Sequence, residues 1–263
     1  MFTLFKHEMK LNLKTLLIWT FSVGGMCFAC ILLFSGLEES MADIADSMSQ
    51  MGAFSQAFGM TQLSIATISG FYAAEIGTIH ALGGAMFAAM IGAIMLSKEE
   101  DGHTSEFLFT LPISRVKAIG AKYIALVSNI VLFNVLCVIS YVIGFEILGE
   151  GIETKEFLLY HLMQVLMQVE IGSICFFVSS CVKKNKIGSG IAVALLLYVL
   201  DLMGRVLPDL EKFMFLSPFS YANAADIFSA AELEWTSLAF GILITVAAFL
   251  ASLFVYRNKD LAA

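Results

Sequence analysis

Glu170, Asp201 and Glu75 lie in stretches of this chain that carry almost no other charge. An ionisable group in lipid-like surroundings is costly, and its presence points to function unless it is paired. A carboxylate so placed can carry a proton or hold a cation, so an ion- or proton-coupled carrier built on Glu170 and Asp201 is one reading. An intramembrane aspartyl protease would need two facing aspartates, and Asp201 is the only aspartate in such a stretch. The histidines His7, His80, His103 and His161 are scattered, and Cys27 and Cys30 share a helix face with no third or fourth ligand near them. No metal site and no disulfide framework are expected. The chain has no Gly-Lys dipeptide, hence no GxxxxGK[ST] phosphate loop, and neither GxSxG nor HExxH occurs. An enzyme is not expected, nor a nucleic-acid partner, nor a cofactor held by this chain.

The elements that must position these groups are long apolar runs. Hydrophobic residues make up 59% of the chain and charged ones 14%, with a mean hydropathy of +0.86; soluble domains carry charge on roughly a quarter of their residues. Six runs reach the length of a membrane-spanning helix: 16–34, 71–96, 118–148, 157–182, 187–203 and 236–256. Pro112, Pro208 and Pro218 fall outside all of them, as they should where water cannot replace a missing N–H. The alternating strands of a closed barrel are absent. The expected fold is therefore all-α, a polytopic membrane protein with six transmembrane helices in a single domain over 1–263. The first run does not read as a cleavable signal, since it is too long and lacks a small-x-small cleavage pattern.

Basic residues set the orientation. Lys6, Lys10 and Lys14 precede the first run; Lys98, Arg115, Lys117 and Lys122 lie between the second and third. Lys183, Lys184 and Lys186 follow the fourth, and Arg257 and Lys259 the sixth, leaving only Lys155, Arg205 and Lys212 of the 15 basic residues on the other side. Both termini are thus expected to be cytoplasmic. Residues 1–15 place Phe2, Phe5, Met9, Leu13 and Leu16 on one stripe with lysines elsewhere, an amphipathic helix for the bilayer edge.

Two loops are expected on the outer side, 36–70 and 204–235. In the first, Leu37, Met41, Ile44, Met48 and Met51 recur at helical spacing, an amphipathic helix lying on the membrane or capping the bundle. In the second, "LSPFSYANAADIF" (216–228) reads as a turn and then a short helix. Asp201 precedes Arg205 by four residues, the order that favours an ion pair on a helix. Glu75, near the start of the second run, is within reach of outer water. Glu170 lies thirteen residues into the fourth run, about 20 Å of helix and so near mid-bilayer. Gln164 and Gln168, with His161, form a separate polar stripe roughly opposite it. Such a helix belongs inside the bundle or at a subunit interface. Glu170, Gln164 and Gln168 then either lock helices together or line a translocation path.

The stretch "SKEEDGHTSEFLFTLPISRVKAIGAK" (97–122) interrupts the apolar runs on the basic side. Gly102 suits a helix stop with positive φ. Thr104 or Ser105 can cap a new short helix, and Glu106 favours its first turn. Phe107, Leu108 and Leu111 give that helix an apolar face, Pro112 ends it, and Ser114 can cap the next span. A loop that offers phenylalanine and leucine to the cytoplasm wants a partner to receive them; the alternative is an interfacial turn lying in the headgroups.

"EEDGHTSEFLFTLPISR" resembles the E-x-x-x-G-T-x-E-x-L-x-x-x-P-[IV]-[ST]-R pattern of ABC-2 family permeases, the membrane subunits of ABC transporters related to the ABCG exporter fold. Glu99, Gly102, Thr104, Glu106, Leu108, Pro112, Ser114 and Arg115 match, with His103 intruding between the glycine and the threonine. "FVYRNKDLAA" is similar to the family's aromatic-basic-Asp-Leu close, "LSPFSY" to its outer segment before the last span, and residues 1–15 to its connecting, or elbow, helix. The resemblance implies that 97–117 is a coupling loop, docking Phe107, Leu108 and Leu111 into a groove on a separate cytoplasmic ABC ATPase, with Glu99, Glu106 and Arg115 at the rim. It implies a second permease subunit, identical or related, and ATP and Mg on the partner ATPase. The implied function is a permease that couples ATP hydrolysis to export across a bacterial plasma membrane. The competing expectations are the Glu170/Asp201 carrier and a membrane accessory that transports nothing.

Overall fold

The computed structural model describes residues 1–104, 113–230 and 233–259, and describes no side chains at positions 38, 39, 42–44 and 46. Among the described residues the chain is helical, with no strand. Six helices are long and apolar enough to cross a membrane: Phe2–Leu37, Ile68–Ile94, Arg115–Leu148, Thr154–Cys181, Ile187–Val206 and Trp235–Asn258. The protein is a multi-pass membrane protein.

The first of these begins as α1 (Phe2–Trp19), passes through a π-turn at Thr20–Gly24, and continues as α2 (Gly25–Ser49). The amphipathic start and the first span are thus one helical run without a break near residue 15. Its continuation to Ser49 supplies the helix expected after residue 36, and α3 (Ala53–Ala57) follows. Met41 and Met48 pack there with Phe58 against Met60, Ile65 and Ala74 in a small separate apolar cluster, capping this end of the bundle.

The second span opens with α4 (Ile68–Phe71), whose N-cap Thr67 accepts a hydrogen bond from the Gly70 amide; a second π-turn, Tyr72–Ile76, leads into α5 (Gly77–Ile94). A short α6 (Ser97–Asp101) precedes α7 (Arg115–Leu148). Ser114 caps α7 as expected, accepting from the Lys117 amide, and Gly149 ends it in the left-handed region at φ 77°. With 34 residues α7 is about 51 Å long, more than a bilayer core needs. Then come α8 (Thr154–Cys181), α9 (Ile187–Val206), α10 (Pro208–Glu211), α11 (Ala224–Ala230) and α12 (Trp235–Asn258). The expected turn and short helix of 216–228 are present, α11 being the helix.

One buried apolar cluster draws on all six long helices, from Leu16 to Tyr256. At its centre α5 packs on α8, the two helices with the most buried apolar windows. Small residues permit the approach: a Cβ at Gly92 would stand 2.4 Å from the Gly172 carbonyl oxygen. In lipid, where no hydrophobic force drives helices together, such close backbone packing holds a bundle.

Candidate functional site

At the lysine-rich end, α6 stops before the segment 105–112. The stop is a Schellman motif: the His103 amide bonds the Glu100 carbonyl at 3.2 Å and the Thr104 amide the Glu99 carbonyl at 2.8 Å. The left-handed residue is His103, at φ 53°. Gly102, expected to supply the positive φ, has φ −86° and sits one residue early. His103 has taken the left-handed conformation that was expected of Gly102.

Below this stop lies a buried network of charges. Glu8, on α1, is fully buried and accepts from Lys122 Nζ at 2.5 Å and from Lys98 Nζ. Lys122, on α7 and 1% exposed, also reaches Glu99 Oε1 at 2.7 Å. Thr104 donates to Glu99 Oε2 at 2.6 Å, so this hydroxyl turns back to α6. Burial works to raise Glu99, but the charge and hydrogen bond of Lys122, then Thr104 and Lys98, hold its carboxyl below the usual range. Burial, then the neighbouring Lys122 charge, pushes Lys98 below the usual lysine range. Beyond residues 105–112, Arg115 Nη1 donates to the carbonyls of Arg257 and Lys259 at 3.0 and 2.8 Å.

Of the residues expected in this loop, Glu99, Gly102, Thr104 and Arg115 are thus placed at its two ends. Glu106, Phe107, Leu108, Leu111 and Pro112 lie outside the described residues, as does the short helix expected there. Glu8 was not legible as a site residue. Its one available signal was an acid standing alone among the lysines of residues 6–14.

The polar groups of the bundle interior are placed as helix-to-helix contacts. Glu170, 3% exposed, accepts from the Tyr221 hydroxyl at 2.8 Å. Burial, then the Glu170 charge, raises Tyr221 above its usual range, so it stays the donor. Gln164 donates to the Ala222 carbonyl at 2.8 Å, and Gln168 accepts from Asn134 at 2.7 Å. Asn134 in turn meets His80 at 3.0 Å, His80 meets Tyr141 at 2.9 Å, and Tyr72 meets His161 at 2.7 Å. The expected separation of Glu170 from the Gln164, Gln168 and His161 stripe is therefore real. Glu170 faces α12, where a Cβ at Gly241 would stand 2.3 Å from its Oε2, while Gln168 faces α5 and α7. All three candidate residues of α8 are enclosed within the chain.

At the opposite end Asp201 pairs with Arg205 at 2.9 Å, as the spacing implied, and Arg205 also reaches Asp226 at 2.8 Å. Glu75 is exposed. Among the described residues no three His, Cys, Asp or Glu side chains gather where a metal could bind.

These arrangements hold helices and brace a loop. The family model described as ABC-2 family transporter protein matches residues 2–261. A search of curated proteins gave no match. The match spans nearly the whole chain, which therefore belongs to that family.

Proposed function

Taking the chain as a member of the ABC-2 transporter family, we propose that it is the permease subunit of an ATP-driven exporter. A separate cytoplasmic ATPase binds ATP and Mg and receives Phe107, Leu108 and Leu111 of the loop 97–117, with Glu99, Glu106 and Arg115 at the rim of its groove. Residues 1–263 form one permease domain with both termini cytoplasmic, and it works beside a second permease chain, identical or related, in a bacterial plasma membrane. Export rests on the resemblance to exporters alone.

One observation carries the coupling reading. Two of the three α6 acids are held by cations, Glu99 by the buried Lys122 and Glu100 by the largely shielded Lys259. Lys122 also holds Glu8, so the base of the loop is joined to α1 and α7 by charges shielded from water. A push on an apolar loop reaches the spans only if its base is rigid, and shielded charges held by partners of opposite sign give that rigidity. Gln164, Gln168 and Glu170 serve within this scheme as ties inside one subunit, keeping α8 with α5, α7 and α12 while the subunit moves.

The test is purification of the tagged chain in mild detergent with mass spectrometry of stoichiometric partners. An ATPase with a phosphate-loop motif should co-elute with the wild type and be lost with Phe107→Asp. A well-folded chain that elutes alone overturns the coupling reading, and the Glu170/Asp201 carrier then becomes the one to pursue.

A further inference from the structure

Lys259 stands one residue beyond α12, where a lysine would ordinarily reach into solvent. Instead its side chain is 12% exposed, and its Nζ donates to Glu100 Oε1 at 2.5 Å and to the Val182 carbonyl at 2.8 Å. Glu100 is in the last turn of α6, just before the segment 105–112. Val182 is the residue that ends α8, where helix carbonyls lack partners and a cation is favoured. Arg115, the first residue of α7 and just past the segment, donates to the carbonyls of Arg257 and Lys259. Two of the three residues after Tyr256, Arg257 and Lys259, therefore touch the entrance of the loop, its exit and the end of α8. Tyr256 itself is buried at 1% exposure and roots the strip in the core.

The geometry is not that of an incidental surface pair. Glu100 is 3% exposed on its side chain, and three of the four contacts end on backbone carbonyls, so they depend on the path of the chain and not on charge alone. A loop whose ends are free absorbs a displacement by rearranging locally; one whose ends are tied passes it to whatever holds them.

We propose that residues 257–259 are a strap that ties both ends of the coupling loop to each other and to α8, so that a push on the loop moves α7 and α8 together. Lys259 and Arg115 are its positioning residues. This inference rests on the coupling reading above and adds the route by which the push reaches α8.

The experiment uses the full chain with its co-purified ATPase in lipid nanodiscs. Hydrogen exchange at 115–122 and 175–182 is followed with and without ATP and Mg. Wild type should respond to nucleotide at both segments. Lys259→Met should keep the response of 115–122 and lose that of 175–182 by about tenfold, the scale of a coupling contact along such a chain, while Lys259→Arg should retain both. Glu100→Gln, which removes the tie to the loop's entrance and leaves the Val182 and Arg115 contacts of Lys259 intact, should show a smaller selective loss and serves if Lys259→Met does not accumulate. Full responses in Lys259→Met or in Glu100→Gln overturn the strap and leave the coupling reading standing. A wild type silent to nucleotide at both segments overturns the coupling reading, and the strap with it.

Discussion

Glu8 and Lys122 are 114 residues apart in the chain, and their side chains meet at 2.5 Å with both shielded from solvent. The contact joins the start of the first helix to the third span directly beneath the loop. Breaking a buried pair leaves one charge without compensation, a loss of about 3–5 kcal/mol. Lys122→Met should approach that loss, because Lys122 alone among the described residues holds both Glu8 and Glu99. Lys98→Met should cost clearly less. Thermal unfolding in detergent decides it: equal melting of Lys122→Met and wild type would remove the pair from the account.

Acid should loosen the same region. The Glu99 pKa lies below its ordinary 4.5 in the folded chain. Its contribution to stability is therefore present above 4.5 and is lost as pH falls through the folded value. Lys98, lowered from 10.5, stays protonated folded and unfolded at acid pH and adds no slope there. Hydrogen exchange at 97–104, taken relative to intrinsic rates, should rise as pH falls below 4.5 and through the lower folded value, and Glu99→Gln should flatten that rise.

The Glu170–Tyr221 bond should prove structural. Tyr221→Phe leaves a buried carboxylate oxygen without its donor, at about 1–3 kcal/mol. Gly241→Ala places a Cβ 2.3 Å from Glu170 Oε2 and 3.0 Å from the Tyr221 ring, an overpacking of about 1–3 kcal/mol. Since both act on one contact, the double variant should lose less than the two singles together. Additive melting shifts would show that the two sites are independent.

Arg205 is the one cation that bridges Asp201 and Asp226 among the described residues. Arg205→Met should cost about 3–5 kcal/mol, because Asp201 stays buried and unpaired. Asp226→Asn, at a side chain 33% exposed, should cost much less. The comparison is made by melting, and the reverse order would refute it.

His103 adopts φ 53° where a glycine would be unstrained. His103→Gly should stabilise the helix stop by about 1 kcal/mol. The gain should appear as slower exchange of the Thr104 amide, which bonds the Glu99 carbonyl.

The spans were legible because each is a local property: some twenty apolar residues can satisfy their backbone in lipid only as a helix. Local spacing likewise placed the Ser114 cap and the Asp201–Arg205 pair, since both partners lie within one turn of helix. The helix stop at 102–103 was legible in kind but displaced by one residue, because the left-handed site depends on how the last turn closes. Read as chemistry, residues 1–15 offered an apolar stripe and lysines, and the buried face proved to be Glu8, Asn12 and Leu16.

By itself, then, the sequence determined the class of the protein, its six helices and the interruption between the second and third, all set by hydropathy and periodicity within short windows. The tertiary structure decided which charges became partners: Glu8 with Lys122, Glu100 with Lys259, Glu170 with Tyr221. Each pair is separated by 51 residues or more. A charge buried in lipid-like surroundings must be compensated, but the chain supplies several groups of the right sign. Only the packing of the helices brings one of them within hydrogen-bonding distance.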